Sequence, residues 1–227
     1  MANIGFRIFP AVPQAPRRLL RQFARVATAH VSDNMSRLYA VDAAIRPYHR
    51  RGLLLGNSFT VKVPPGDNLM VHKALDMARR GDVIVVDAGG VVAQAIIGEI
   101  MSTYAAKRGI AGLVIDGAIR DSGAIGNVNF PVYARAVTHR GPYKNGPGEI
   151  NVPVAVGGIV VHPGDIVFGD EDGIVCIPQE LAVDVIRVSE AQRKKEDGVL
   201  KAIAKGTVDR TWVDQALKQK GCEFPAA

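Results

Sequence analysis

Two short runs constrain this chain more than anything else in it. DVIVVD at 82–87 and LVID at 113–116 are apolar on consecutive residues and are bounded by turn residues. Runs of this length are strands covered on both faces, as in a parallel sheet. Between them lies a helix-patterned segment that begins near Gly98, runs to Arg108 and closes at Gly109. Strand, helix, strand implies a parallel pair joined by a crossover helix.

The rest of the sequence extends that unit. GNSFTVKV at 56–63 alternates and stops at Pro64-Pro65, which predicts a strand. Residues 68–80 predict a helix with Asp67 or Asn68 as N-cap and Val71, Leu75 and Ala78 as its apolar stripe. Upstream, Leu19, Leu20, Phe23, Val26 and Ala27 predict a helix from Pro16 to about Thr28, with a second short helix at 31–38. A short helix near 122–127 leads to a strand at 131–135. After Gly146-Pro147-Gly148 the period changes to two (VPVAV, IVVHP, GDIVFGD, GIVCIP), which implies closely spaced antiparallel strands. A long helix at 179–196 and a polar, basic tail follow. The expectation is an α/β chain with mixed sheets and flanking helices. It forms one domain over residues 1–227, with N-terminal helices within 1–40 and a C-terminal helical arm from 179 on.

Composition excludes several classes. With 48% hydrophobic and 22% charged residues the chain is not disordered. Cys176 and Cys222 are too few for a disulfide framework or a four-cysteine zinc site, so a reducing compartment is expected. The N-terminus has no signal-like apolar run, and no charge-free stretch approaches membrane-spanning length. A soluble cytoplasmic protein is expected, with neither membrane nor nucleic acid as partner. The net charge of +6 is spread along the chain rather than clustered, which favours sites for anionic small molecules over nucleic-acid binding.

The chemistry concentrates between Gly98 and Asp121. A helix starting at Gly98-Glu99-Ile100-Met101 presents free N–H groups to a carboxylate or phosphate. Glycine at the entrance lets a ligand approach the backbone closely. The chain then passes through the buried strand and emerges at Arg120-Asp121, where ligands of open α/β sheets sit. Twenty residues separate Glu99 from Arg120. Asp121 could ligate Mg²⁺ or Mn²⁺, Glu99 could hold metal-bound water, and Arg120 could grip a carboxylate or a developing enolate oxygen. Such a set suits a 2-oxo acid. Singly, each feature has a plainer reading: an acid in a first helical turn follows from the dipole, and Arg-Asp after a strand is commonly a solvated turn.

These residues resemble the RraA-like family, in particular the class II 4-hydroxy-4-methyl-2-oxoglutarate / 4-carboxy-4-hydroxy-2-oxoadipate aldolases. The likeness runs from about residue 31 to 192. Its landmarks are PGDN at 65–68, GDVIVVDAGG at 81–90, the Gly98-Glu99 helix start, DGAIRD at 116–121, FPVYAR at 130–135 and VHPGDIVFGDEDGIVCIP at 161–178. Family aldolases carry an acid, twenty residues, then Arg-Asp; the acid is Glu99 here. The resemblance implies a swivelling β/β/α fold assembled as a homotrimer or hexamer, with sites between subunits. It implies Asp121 as metal ligand and Arg120 as the substrate-binding, enolate-stabilising residue. The backbone of Gly98, Glu99, Ile100 and Met101 would bind the pyruvyl carboxylate, and Glu99 would order metal-bound waters. Lys144, in RGPYK, matches a lysine near the distal carboxylate, and Glu196 lies where relatives send an acid into the neighbouring subunit's site. Ser122-Gly123-Ala124 lacks the acid some relatives place after the Arg-Asp pair, which leaves substrate choice open.

The resulting expectation is a metal-dependent lyase that releases pyruvate from 4-hydroxy-2-oxo acids, with oxaloacetate decarboxylation as a side activity. The alternative is a non-catalytic relative that binds an RNA-processing enzyme. Other residues carry plainer readings. His72 reads as a surface or packing residue of its helix, and His30, His139 and His162 have no ligand spacing to each other. Asp170, Glu171 and Asp172 read as an Asp-Gly hairpin rather than a metal cluster, and Cys176 as a buried small hydrophobe.

Overall fold

A computed structural model describes residues 3–224. The chain opens with β1 (Phe6–Ile8), α1 (Arg17–Phe23), α2 (Thr28–Asn34), β2 (Arg46–Pro47) and β3 (Leu54–Lys62). Next come α3 (Leu69–Met77), β4 (Asp82–Asp87), β5 (Ala95–Ile97), α4 (Glu99–Arg108), β6 (Gly112–Ile119), α5 (Ser122–Gly126) and β7 (Val132–Val137). The second half is β8 (Gly148–Ile150), β9 (Val154–Val156), β10 (Ile159–Val161), β11 (Ile166–Asp170) and β12 (Gly173–Ile177). A 3₁₀ turn at Gln179–Leu181 leads into α6 (Ala182–Ala204), and α7 (Thr211–Gln219) closes the described chain.

The mixed α/β architecture is the one expected. Among the described residues, a ten-stranded sheet runs in the order β1-β8-β3-β4-β6-β7-β2, with β11 and β12 joined through β3 and β5 beside β6. Its centre, β3-β4-β6-β7, is parallel, and every residue of β4 and β6 is buried. One core packs α3 and α4 against this centre through Val71, Leu75, Ala105, Ile84 and Ile115. A second lies on the other face, where the antiparallel hairpin β9-β10 covers Val83, Val85 and Val114. A third holds α1, α2 and α6 on β11 and β12 through Phe23, Val31, Phe168 and Ile186. Burial of such side chains is the main stabilising term, about 1.5–3 kcal/mol for each large one.

Three expectations about helices are corrected. The helix expected from Pro16 to Thr28 stops at Phe23, and the one expected at 31–38 starts earlier, at Thr28. The break has a tertiary cause. Asp170, at the end of β11, accepts from the Thr28 N–H at 2.9 Å and its Oγ1 at 2.6 Å. A new helix start is thereby fixed from a distant strand. The long C-terminal helix, expected to end at Glu196, extends to Ala204, and α7 follows it. Asp170 also pairs with Gly173 across the hairpin, so the acidic triplet is a turn and a helix cap. Cys176 is fully buried, which pushes its thiol well above the ordinary range.

Candidate active site

The twenty-residue spacing is the length of one crossover. β5 and β6 are parallel neighbours, with Ile97 opposite Ile119, so the residues leaving each strand stand side by side. Gly98 leaves β5 and caps α4; Arg120 and Asp121 leave β6. The Arg120 N–H donates to the Ile97 carbonyl at 2.9 Å and locks the two exits together. Gly109, at φ +78°, closes α4 in the left-handed conformation that glycine adopts without strain.

Asp121 sits at φ 55°, an uncommon conformation for a residue with a side chain, and it turns the carboxylate back toward α4. Its Oδ2 accepts from the Glu99 N–H at 3.0 Å and lies 3.6 Å from Arg120 Nε. The N–H groups of Ile100 and Met101 have no partner among the described residues. Gly98 makes this closeness possible: a Cβ there would lie 2.4 Å from Asp121 Oδ2 and 2.9 Å from Arg120 Cγ. Guanidinium, carboxylate and helix N-terminus therefore meet over a backbone with no side chain in the way.

They line a pocket of about 290 Å³. Gly98, Ile100, Met101, Arg120, Asp121 and Lys144 are all part of its wall, so the structure brings most of the expected site residues together. Glu99 gives its N–H to Asp121, but its exposed side chain is not part of the pocket wall. Glu196 stands apart. Within its own chain it is held by Gln192 Nε2 and His30 Nε2, each at 2.8 Å, and these bonds hold its pKa below the ordinary glutamate value.

Among the wall residues that were not foreseen, two carry polar side chains. His72, read from sequence as a surface or packing residue, lines the pocket, and burial followed by the nearby Lys144 charge lowers its imidazole below the ordinary value. Asn68 is 2% exposed and also lines it. The two are four residues apart on one face of α3, the signal that could have paired them. Asp67 does the capping instead of Asn68, its Oδ1 accepting from the Leu69 N–H at 2.9 Å. Asp67 Oδ2 accepts from the N–H groups of Asn145 at 2.6 Å and Gly146 at 3.0 Å, and so holds the loop that carries Lys144.

Among the described residues no three His, Cys, Asp or Glu side chains are grouped to hold a metal. Asp121 is the one carboxylate in the pocket wall: its side chain is 41% exposed, and its Oδ1 accepts from no described residue. That fits a hard cation of the Mg²⁺ kind, which is commonly held by one or two carboxylates with water and substrate oxygens completing the shell. It does not fit zinc, which takes three or four protein ligands.

Fold and pocket together define a mixed α/β protein with a pocket at the carboxyl ends of parallel strands, walled in part by Arg120, Asp121 and Lys144. The chain belongs to the RraA-like family: the family description Aldolase/RraA matches residues 28–176. A Halalkalibacterium halodurans protein provisionally named 4-hydroxy-4-methyl-2-oxoglutarate aldolase is 38% identical over 191 residues, covering 84% of this chain and 91% of the relative. The crystal structure of an uncharacterized protein from Pseudomonas syringae pv. tomato superposes with a TM-score of 0.76 at 28% identity, covering 86% of this chain and 96% of the other. The RNA-processing inhibitor RraA from Thermus thermophilis superposes with a TM-score of 0.59 at 32% identity, covering 65% of this chain and 92% of the other.

Proposed function

We propose that this protein is a divalent-metal-dependent lyase that cleaves 4-hydroxy-2-oxo acids to pyruvate and decarboxylates oxaloacetate at the same site. The observation that carries this reading is the convergence of Arg120, Asp121 and the free α4 amides on one pocket. The aldolase names of several relatives support it. The competing reading, a regulator that binds an RNA-processing enzyme, has support from the Thermus structure. It gives no role to a pocket built around a guanidinium and free amides.

Asp121 would hold Mg²⁺ or Mn²⁺, which when bound acts as a Lewis acid on the keto oxygen. The α4 amides at Ile100 and Met101 bind the C1 carboxylate, aided by the positive end of the helix. Arg120 faces the keto oxygen, where negative charge develops as the C3–C4 bond breaks, and stabilises it in a partly enclosed pocket. The C4 hydroxyl loses its proton and becomes a carbonyl, and C3 gains one to give pyruvate. Glu99 orders the water through which these protons pass. Lys144, with His72 behind it, receives the carboxylate at the far end of the substrate.

We further propose a homotrimeric or hexameric assembly in which Glu196 reaches a neighbour's pocket. The exposed apolar residues at the pocket mouth (Ile100, 80% exposed) and along the arm (Leu200, Ile203 and Trp212) support it. The function is tested by a pyruvate-coupled screen of 4-hydroxy-2-oxo acids and oxaloacetate with Mg²⁺ or EDTA. Pyruvate release that EDTA abolishes is expected; equal rates with EDTA would discard the metal-dependent mechanism.

A further inference from the structure

The pocket wall is rich in donors and poor in acceptors. Arg120, Lys144 and the α4 amides all donate, and one oxygen of Asp121 is already taken by the Glu99 N–H. Asn68 stands out. Its Nδ2 donates to the Ile96 carbonyl at 2.8 Å and lies 3.3 Å from Met101 Sδ. Turning the amide over would set Oδ1 against that carbonyl, so the neighbours fix which end is which. Oδ1 is left buried, and no donor among the described residues reaches it. A buried acceptor without a donor is rare in a folded chain, and one in the wall of a ligand pocket asks for a donor from the ligand.

We infer that Asn68 Oδ1 accepts a hydrogen bond from the substrate's hydroxyl group and so makes the site prefer 4-hydroxy-2-oxo acids over keto acids without one. The inference rests on the pyruvate-releasing function proposed above. At neutral pH the carboxylates and keto oxygen of such a substrate carry no proton, so its hydroxyl is the donor it can offer. The oxygen is buried, so reaching it takes a shift of the side chains around the amide; the Met101 thioether beside Nδ2 is unbranched and adaptable. An amide oxygen is too weak a base to keep the proton. Asn68 therefore holds and aims the hydroxyl, while the proton itself leaves through water.

The test uses Asn68→Ala and Asn68→Ser in the full chain with Mg²⁺. On one preparation of each, kcat/KM is measured for 4-hydroxy-2-oxoglutarate cleavage and for oxaloacetate decarboxylation. The ratio of the two cancels any difference in folded fraction. We expect it to fall about tenfold in both variants, the size of one lost hydrogen bond at a buried acceptor. Preference between the two C4 stereoisomers should narrow. The inhibition constant of 2-oxoglutarate, which lacks the hydroxyl, should change less than twofold. An unchanged ratio, or equal loss on both substrates, would overturn the inference and leave Oδ1 to a buried water. If the unaltered protein turns over neither substrate, the proposed function falls and this inference with it.

Discussion

Gly98→Ala separates the site from the fold in a single substitution. Glycine's backbone freedom is not what matters there, since φ is −150°, extended backbone open to any residue. Space is what matters. The added methyl would lie 2.4 Å from Asp121 Oδ2, about 1 Å inside ordinary contact, and 3.1 Å from Arg120 Nε. Both neighbours are flexible and partly exposed, so they can yield by rotating away. The fold then loses chiefly the 3.0 Å bond from the Glu99 N–H to Asp121. That costs about 1 kcal/mol and lowers Tm by a few degrees. The site loses far more, because a shift of about 1 Å in reacting groups can cost roughly 100-fold in rate. In a pyruvate-coupled assay kcat/KM should fall about 100-fold while Tm falls by only a few degrees. Gly123→Ala, where an added Cβ meets nothing within 4 Å, is the control and should leave both unchanged. Unchanged kcat/KM in Gly98→Ala would refute the claim that Arg120 and Asp121 act from these positions.

Three further outcomes follow from the same geometry. Asp67→Ala leaves the Asn145 and Gly146 amides without their acceptor and loosens the Lys144 loop; KM should rise more than kcat falls, with about 2–4 kcal/mol lost in urea unfolding, and an unchanged KM would separate the loop from substrate binding. Burial first, and then Lys144, should hold the His72 imidazole below 6.5 in an NMR titration. Lys144→Met should move its midpoint back upward, and a midpoint above 6.5 would show the ring to be solvated. Burial raises the Asp165 carboxyl above its unfolded value of 3.8, so its contribution to stability is present below that value and lost as pH rises through the raised one. Asp165→Asn keeps an acceptor for the His162 N–H, so it should be more stable than the parent at pH 7, with the gap closing toward pH 4; a constant gap would contradict this.

The α4-β6 unit was legible because three local signals agree. β6 is buried throughout and apolar apart from Asp116, α4 has glycine at both ends, and Glu99 sits where the helix dipole favours an acid. β5 was missed because three residues after a turn make no pattern; its place comes from pairing with β6. The edge strand β1 and its neighbour β8 are as short. The break between α1 and α2 was invisible because its cap, Asp170, comes from 142 residues away. α7 has an apolar side, including Trp212 and Leu217, but buries none of it in this chain, so no core pattern marks its bounds within the expected helical arm. For the site, spacing brought Arg120 and Asp121 to the Gly98 turn. The face that α3 turns to the pocket depends on packing, which hid Asn68 and His72.

Exchange of the methyl protons of pyruvate in D₂O with Mg²⁺, followed by NMR, tests the central claim without any assumption about the rest of the substrate. If Arg120, Asp121 and the α4 amides stabilise negative charge on a pyruvyl group, the methyl signal decays with the unaltered protein. It should persist at the uncatalysed rate with Arg120→Ala or Asp121→Ala. Decay at the same rate in those variants, or no decay while pyruvate binds, would contradict the account.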